Sequence, residues 1–381
     1  MTVIATARHP TAGAGPRTLR IVLAAPVRQG GGVWRHLQDL AGALAARGHK
    51  VRVALPDDAG ALRHDAVGLH LCSFERPPAC DIWHLHLADT YDRSALSALT
   101  RARVRAGGTV ITEHLPRTNA SDVALGDDRR RHGAWTAKTL LKQAHYALSG
   151  LVVAPSAGAA RFVQTRYGLG GGRVAVVANG IDPGPPPGSW PAGPSRYLAV
   201  GALIRQKGFD VLVDAAAQAG EDWCVDVAGD GPHLESLRAR AAAAGPRPGN
   251  PGVPAAIGDV RVRFVGQRND ISRRLDDATG LVAPSRWESS SYVALETMAR
   301  ARPVVATRVD GLDEIVVDGV TGLLVAPDDA GALAGALDLL AGRPDQARAM
   351  GLAGRRRLLE CFTLDLMAAR TESLYRRLLA R

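Results

Sequence analysis

Short apolar runs alternate with longer stretches of helical periodicity along the chain, and glycine-bearing turns separate them. Leu19 to Ala25 reads as a first strand. Gly30, Gly31 and Gly32 follow, and then Val33, Leu37, Leu40, Ala41 and Leu44 recur at helical spacing, predicting a helix over 33–47 that Gly48 closes. Val51 to Leu55 is the next strand. A strand, a glycine turn, a helix and a strand open a doubly wound sheet, and the glycines let backbone approach a ligand closely. The turn lacks Gly-Lys-Ser/Thr and the G-x-G-x-x-G spacing, so neither a P-loop nor a dinucleotide fingerprint is present.

The same alternation continues. Asp81 to Leu87 predicts a buried strand with His84 and His86 on one face, and Thr109 to Glu113 another that ends at His114. His84 and His86 fit either a metal pair or strand packing beside a cleft; no third ligand clusters with them in sequence, which favours packing. A helix ending at Leu148, a strand over 151–155, a helix over 157–167 and a strand over 173–177 complete a first unit. Proline and glycine density over 183–195 marks a linker. Beyond it come a strand over 197–201, a loop with Arg205 and Lys207, a helix from Phe209, and strands over 225–228 and 262–266, the last leading to Gln267 and Arg268. Residues 244–258 read as a Pro/Gly-rich surface insertion, and three helices over 328–340, 345–361 and 363–380 end the chain. The run Asp127–Arg131 and the trio Arg355, Arg356 and Arg357 are expected to be solvated faces.

The stretch LVAPSRWESSSYVALETMARARPVVATRVDGLDEIVVDGVTGLLVAP, 281–327, is the most informative. Its first residues predict a buried strand, and Ser285 to Ser291 a polar loop leading into a helix from Tyr292 with Ser291 as N-cap. The amides of Tyr292 and Val293 then stand at a free helix N-terminus, where orphan donors and the helix dipole favour a phosphate. Glu288 on the loop and Glu296 on the helix can point into one cleft and flank that phosphate. A carboxylate accepts two hydrogen bonds from a vicinal diol such as that of a ribose or hexose.

Composition excludes several classes. At 381 residues the chain suits two domains, and 46% hydrophobic with 22% charged residues is ordinary for a globular protein. No run approaches the roughly eighteen apolar residues of a membrane span. The first eighteen residues lack an apolar core and read as a disordered tail rather than a signal peptide, so a cytoplasmic location is expected. Four cysteines without C-x-x-C spacing predict reduced core thiols. A net charge of +10 could mean nucleic acid, but only 4% of residues are aromatic and none interleave with a basic stripe.

Taken together, PSRWESSSYVALETMARARPVVATRVDGLDEIVVDGVTGLLV resembles the donor-binding signature of the retaining nucleotide-sugar glycosyltransferases of family 4: two glutamates separated by seven residues, a Met-Ala helix end, a PVVAT strand and a G-x-x-E-I-V-x-D-G run. The resemblance implies two Rossmann-like α/β domains facing across a cleft, the GT-B arrangement, with a C-terminal helix crossing back to the N-terminal domain. The implied segments are a tail over 1–18, an acceptor-binding domain over 19–182, a linker over 183–195, a donor-binding domain over 196–361 and the crossing helix over 362–381. It further implies a nucleoside diphosphate sugar as donor, UDP favoured over GDP, and a hydroxyl acceptor. No cofactor and no metal are expected, in keeping with the lack of an Asp-x-Asp in the second half.

By the same resemblance His114 lies against the donor sugar, Lys207 contacts the diphosphate, and Glu296 and Glu288 take the ribose and the transferred sugar. Gly30 to Gly32 face the pyrophosphate and acceptor, and Gln267 and Arg268 stand where backbone reads the nucleobase. Two departures matter. Ala202 replaces the usual arginine, which Arg205 is near enough to replace, and Ser290-Ser291 stand where many relatives have Phe-Gly. Two other readings remain: a sugar-nucleotide epimerase or isomerase on the same architecture, and a nucleotide-sugar binding protein without catalysis. Nucleic acid is not an expected partner. Peripheral membrane contact through a basic helix stays open, and oligomeric state is unspecified.

Overall fold

The computed structural model describes residues 17–28, 31–66, 68–87, 93–114, 137–185, 188–243 and 261–381. Residues 1–16, Gly30, the run Asp127–Arg131 and the insertion over 244–258 lie outside them.

The first unit carries β1 (Arg20–Ala24), α1 (Gly32–Ala46), β2 (Lys50–Leu55), α2 (Gly60–Asp65), β3 (Leu71–Ser73), β4 (Cys80–Leu87), α3 (Arg93–Arg103), β5 (Ala106–Glu113), α4 (Ala137–Leu148), β6 (Leu151–Ala154), α5 (Ala157–Tyr167) and β7 (Val174–Val176). Its sheet is parallel, in the order β3-β2-β1-β4-β5-β6-β7. Helices cover both faces, which is why β4 is buried at all eight positions and reads as a continuous rather than alternating run.

The second unit carries β8 (Ser195–Val200), α6 (Phe209–Ala217), β9 (Trp223–Ala228), α7 (Leu234–Ala243), β10 (Val262–Gly266), α8 (Ile271–Asp277), β11 (Gly280–Ala283), α9 (Tyr292–Ala299), β12 (Val304–Thr307), α10 (Leu312–Ile315), β13 (Gly322–Val325), α11 (Ala330–Gly342) and α12 (Pro344–Cys361). Its sheet is also parallel, in the order β10-β9-β8-β11-β12-β13, which repeats the winding of the first without a counterpart to β7. Each sheet changes winding direction at one place, between β1 and β4 and between β8 and β11. Such a switch point opens a crevice at the carboxyl ends of the strands, where ligands of doubly wound folds bind.

The chain crosses between the units twice, side by side. Ile181 N–H donates to the Phe362 carbonyl at 2.9 Å, Leu364 N–H donates to that of Ile181 at 3.2 Å, and a Cβ at Gly180 would overlap the Thr363 carbonyl. The last helix, α13 (Leu364–Leu379), then lies on the first unit, where Met367, Ala368, Leu374 and Tyr375 share a core with Ile21, Leu23, Leu37 and Leu40. Glu372 of α13 accepts from Arg47 Nε at 2.9 Å and from Arg376 Nε at 2.8 Å.

The arginine trio differs from expectation. Arg355 donates to the carbonyls of Pro183, Gly184 and Ala299, and Arg357 to those of Glu314 and Ile315, so only Arg356 is a solvated side chain. A guanidinium has five donors, and loop carbonyls beside a helix satisfy them without any carboxylate visible in the sequence. Among the described residues no helix is long and apolar enough to cross a membrane.

Candidate active site

The donor half of the site is built by two loops at the β8/β11 switch point. After β8 the chain turns through a short 3-10 segment, Arg205–Lys207, and enters α6 at Gly208, whose φ is 66°. A Cβ there would overlap the Pro284 carbonyl, so only glycine lets this loop lie against the end of β11. Arg286 fastens the two loops together: its guanidinium donates to Asp210 at 2.7 and 2.8 Å, to Asp328 at 2.6 Å and to the Arg205 carbonyl at 2.7 Å. Burial alone would raise the Asp210 carboxyl, but the Arg286 hydrogen bonds outweigh it and hold the group below its usual range.

Fixed in this way, Lys207 Nζ donates to both carboxylate oxygens of Glu288, with 2.9 Å to Oε2. Ser291 caps α9, its hydroxyl accepting from Ala294 N–H at 3.3 Å. The amides of Tyr292 and Val293 occupy the first two helical positions, which have no carbonyl partner inside the helix. Glu296 lies one turn further along the same helix.

The other half comes from the β1/β4 switch point and the end of β5. Gly31 precedes α1, and Gly32 sits so close to the donor half that a Cβ on it would be 4.0 Å from the Tyr292 ring. From the first turns of α1, Arg35 pairs with Glu296 and lies over the Tyr292 ring at 5.2 Å, while His36 Nδ1 is 3.0 Å from the Tyr292 hydroxyl. His114 follows β5; its N–H donates to the Leu87 carbonyl at 3.1 Å, and its own carbonyl accepts from Ser289 Oγ at 2.8 Å. Behind it, His86 Nδ1 is 3.2 Å from His114 Nε2. Burial lowers the pKa of all these rings: His36 to about 4, His84 to about 3, and His86 and His114 well below the ordinary value, so they are neutral at physiological pH.

One buried ion pair supports the end of β5. Lys142 Nζ of α4 is 3.1 Å from Glu113 Oε1, both side chains are 1% exposed, and Tyr146 Oη donates to Glu113 Oε2 at 2.7 Å. His114 is the next residue along the chain.

Family models match both halves of the chain. One described as "Glycosyltransferase Family 4" matches residues 30–185, and one described as "Glycosyl transferases group 1" matches residues 194–342. The alpha-maltose-1-phosphate synthase of Mycolicibacterium smegmatis is 33% identical over 267 residues, spanning 65% of this chain and 67% of that protein.

The chain belongs to glycosyltransferase family 4.

A glycogen synthase of Mycobacterium tuberculosis is 29% identical over 276 residues, covering 64% of this chain and 60% of that protein. Among solved structures, a sucrose-phosphate synthase from Thermosynechococcus elongatus superposes with a TM-score of 0.72 at 22% identity, over 95% of this chain and 99% of that one. The Anabaena protein HepE in complex with UDP-glucose gives 0.71 at 18% identity, over 93% and 99%. These likenesses establish the GT-B fold of this family 4 glycosyltransferase.

Within that fold the structure brings together Gly31, Gly32, His114, Lys207, Glu288, Ser291, Tyr292, Val293 and Glu296, residues drawn from both ends of the sequence. Gly30 lies outside the described residues. Gln267 and Arg268 are exposed at the carboxyl end of β10, beyond Gly266 with φ 72°. Arg205 goes elsewhere: it is exposed and borders a hollow of about 290 Å³ with Asp210, His233 and Arg240 beside α7. Sequence reasoning did not single out Arg35, His36, Ser289 or Arg286. Glu314, the glutamate of the G-x-x-E-I-V-x-D-G run, accepts from the amides of Ala157 and Gly158 at 2.8 and 2.9 Å and so ties α10 to the start of α5.

Proposed function

We propose that this protein transfers a hexose-type sugar from a nucleoside diphosphate sugar, UDP in preference to GDP, to a hydroxyl acceptor, with retention at the anomeric carbon and without a catalytic metal. The observation that carries the proposal is the Ser291-capped start of α9. Its two open amides lie beside Lys207 and Glu288 on one unit and face Gly32, His36 and His114 of the other. A departing diphosphate would accept hydrogen bonds from the Tyr292 and Val293 amides and charge from Lys207, the kind of preorganised stabilisation that leaving-group chemistry needs. Glu296 is one turn beyond, suited to ribose hydroxyls, and Glu288 to those of the transferred sugar. A neutral His114 can accept or donate a hydrogen bond to that sugar without bringing a second positive charge to the developing oxocarbenium. Front-face attack, with the leaving phosphate taking the acceptor proton, requires no protein base. The UDP and UDP-glucose complexes of HepE are consistent with this donor class.

Thermal melting against UDP, GDP, ADP and TDP, each with and without EDTA, tests the donor assignment. A nucleotide at a hundredfold excess over its Kd stabilises the fold by about 2.7 kcal/mol. A shift with UDP that EDTA leaves unchanged is expected, and no shift with any nucleotide contradicts it. Ala202, with Arg205 directed toward α7, favours one second reading: a protein that holds the nucleotide sugar and turns it over slowly or not at all. Donor binding without UDP release would select that reading.

A further inference from the structure

Three imidazoles converge in the interior of the first unit where it meets the second. His36 comes from α1, His86 from β4 and His114 from the end of β5, and one nitrogen of each lies within 4.8 Å of the other two. The His86 Nδ1 to His114 Nε2 distance of 3.2 Å is close to the roughly 3.3 Å that separates two nitrogens bound to one tetrahedral zinc. All three side chains are buried.

Among the described residues His86 Nε2 is buried without a partner, while its Nδ1 faces His114 Nε2. The neighbouring His84 shows what a satisfied ring looks like in the same place: its Nδ1 is 2.6 Å from the Tyr375 hydroxyl and its Nε2 is 2.7 Å from Thr112 Oγ1. The Tyr292 hydroxyl engages His36 Nδ1 and fixes that ring, leaving its Nε2 as the nitrogen that can ligate.

We propose that His36, His86 and His114 form a binding site for one divalent transition-metal ion of the zinc class, and that an ion held there excludes the donor sugar. Three imidazoles without a carboxylate select Zn²⁺, Co²⁺, Ni²⁺ or Cu²⁺ over Mg²⁺ and Ca²⁺, which need oxygen ligands. Coordination would occupy the His114 nitrogen that faces His86 and hold the Tyr292-bound His36 in place. A divalent charge held on His114 would replace the neutral ring that the proposed function places against the donor sugar, so the site is inhibitory rather than catalytic. Metal binding rests on the three rings alone; exclusion of the sugar rests also on the function proposed above for His114.

Cobalt titration of EDTA-stripped, tag-free protein, followed by visible d–d absorption, tests the first part. Saturable cobalt binding that zinc displaces is expected. His86→Gln should weaken it by at least ~10-fold, while His233→Gln on the surface of the other unit should leave it unchanged. Zinc K-edge X-ray absorption of the loaded wild-type protein needs no variant and should count three imidazoles. Cobalt affinity unchanged in His86→Gln, or fewer than three imidazoles on zinc, overturns the site. Donor kinetics test the second part separately: zinc should raise the apparent KM for UDP-sugar in the wild type and not in His86→Gln. Spectroscopic binding with turnover unaffected overturns only the exclusion. Absence of turnover in metal-free protein would count against the proposed function and leave the coordination result standing.

Discussion

At the residue scale, the site separates groups that must carry charge from groups that must not. Lys207 and Glu288 neutralise each other, and a diphosphate arriving at α9 would draw Lys207 toward itself. Replacing Lys207 by Ala should cost about 2 to 4 kcal/mol of transition-state stabilisation, read as a fall of roughly 30- to 10³-fold in kcat/KM for the donor. A loss below about tenfold would show that the diphosphate is bound elsewhere. Arg35 poses a different question, because it holds the carboxylate assigned to the ribose. If Arg35 only competes for Glu296, Arg35→Gln leaves the donor Kd unchanged or tighter by calorimetry. A weakening of more than about tenfold would instead make Arg35 a donor ligand.

At the scale of elements, what could be read in advance follows the range of the interaction that sets it. The Ser291 cap, the strand before it and the helix after it were legible because cap, apolar run and periodicity lie within a dozen consecutive residues. So were the glycine turn and α1. Arg35 and His36 were not, since the groups that give them meaning are 261 and 256 positions away. Arg286 likewise reaches Asp210 across 76 positions, and its identity as a loop fastener exists only once both loops are folded. The third histidine belongs here too: His86 lies on, and His114 at the end of, strands that the apolar runs predict, but the third ring of the proposed set, His36, comes from α1. Helix α3 is a different case. Ala95, Ala98, Leu99 and Ala102 are buried at helical spacing, a signal that was present and was masked by small side chains and three arginines. The Lys142–Glu113 pair, also invisible in sequence, yields a stability prediction. Lys142→Met strands a buried carboxylate under the end of β5 and should destabilise the fold by ~3–5 kcal/mol in urea unfolding. A change below about 1 kcal/mol would contradict the pairing.

At the scale of the whole molecule, two sheets of identical winding present their switch points to each other, and α13 returns to close the first of them. Glu372 joins that helix to α1. Burial would raise its carboxyl, but hydrogen bonds from Arg47 and Arg376 outweigh this and hold it below the ordinary 4.5. A carboxylate depressed in this way stabilises the fold fully above its unfolded pKa, and the contribution is lost as pH falls through the lower folded value. Glu372→Gln should therefore cost about 1.5 to 3 kcal/mol at pH 7, with the difference constant down to about 4.5 and closing only below it. A difference that closes between pH 7 and 5 would point to some other group. The central claim, that the cleft between the sheets carries out retaining sugar transfer from a nucleotide, is tested most directly by time-resolved proton NMR of a UDP-hexose panel with the purified protein and a pool of hydroxyl acceptors in EDTA. The account predicts UDP release with the α-linked product formed first, abolished by Glu296→Gln; a β-linked product, or turnover that Glu296→Gln leaves untouched, would contradict it.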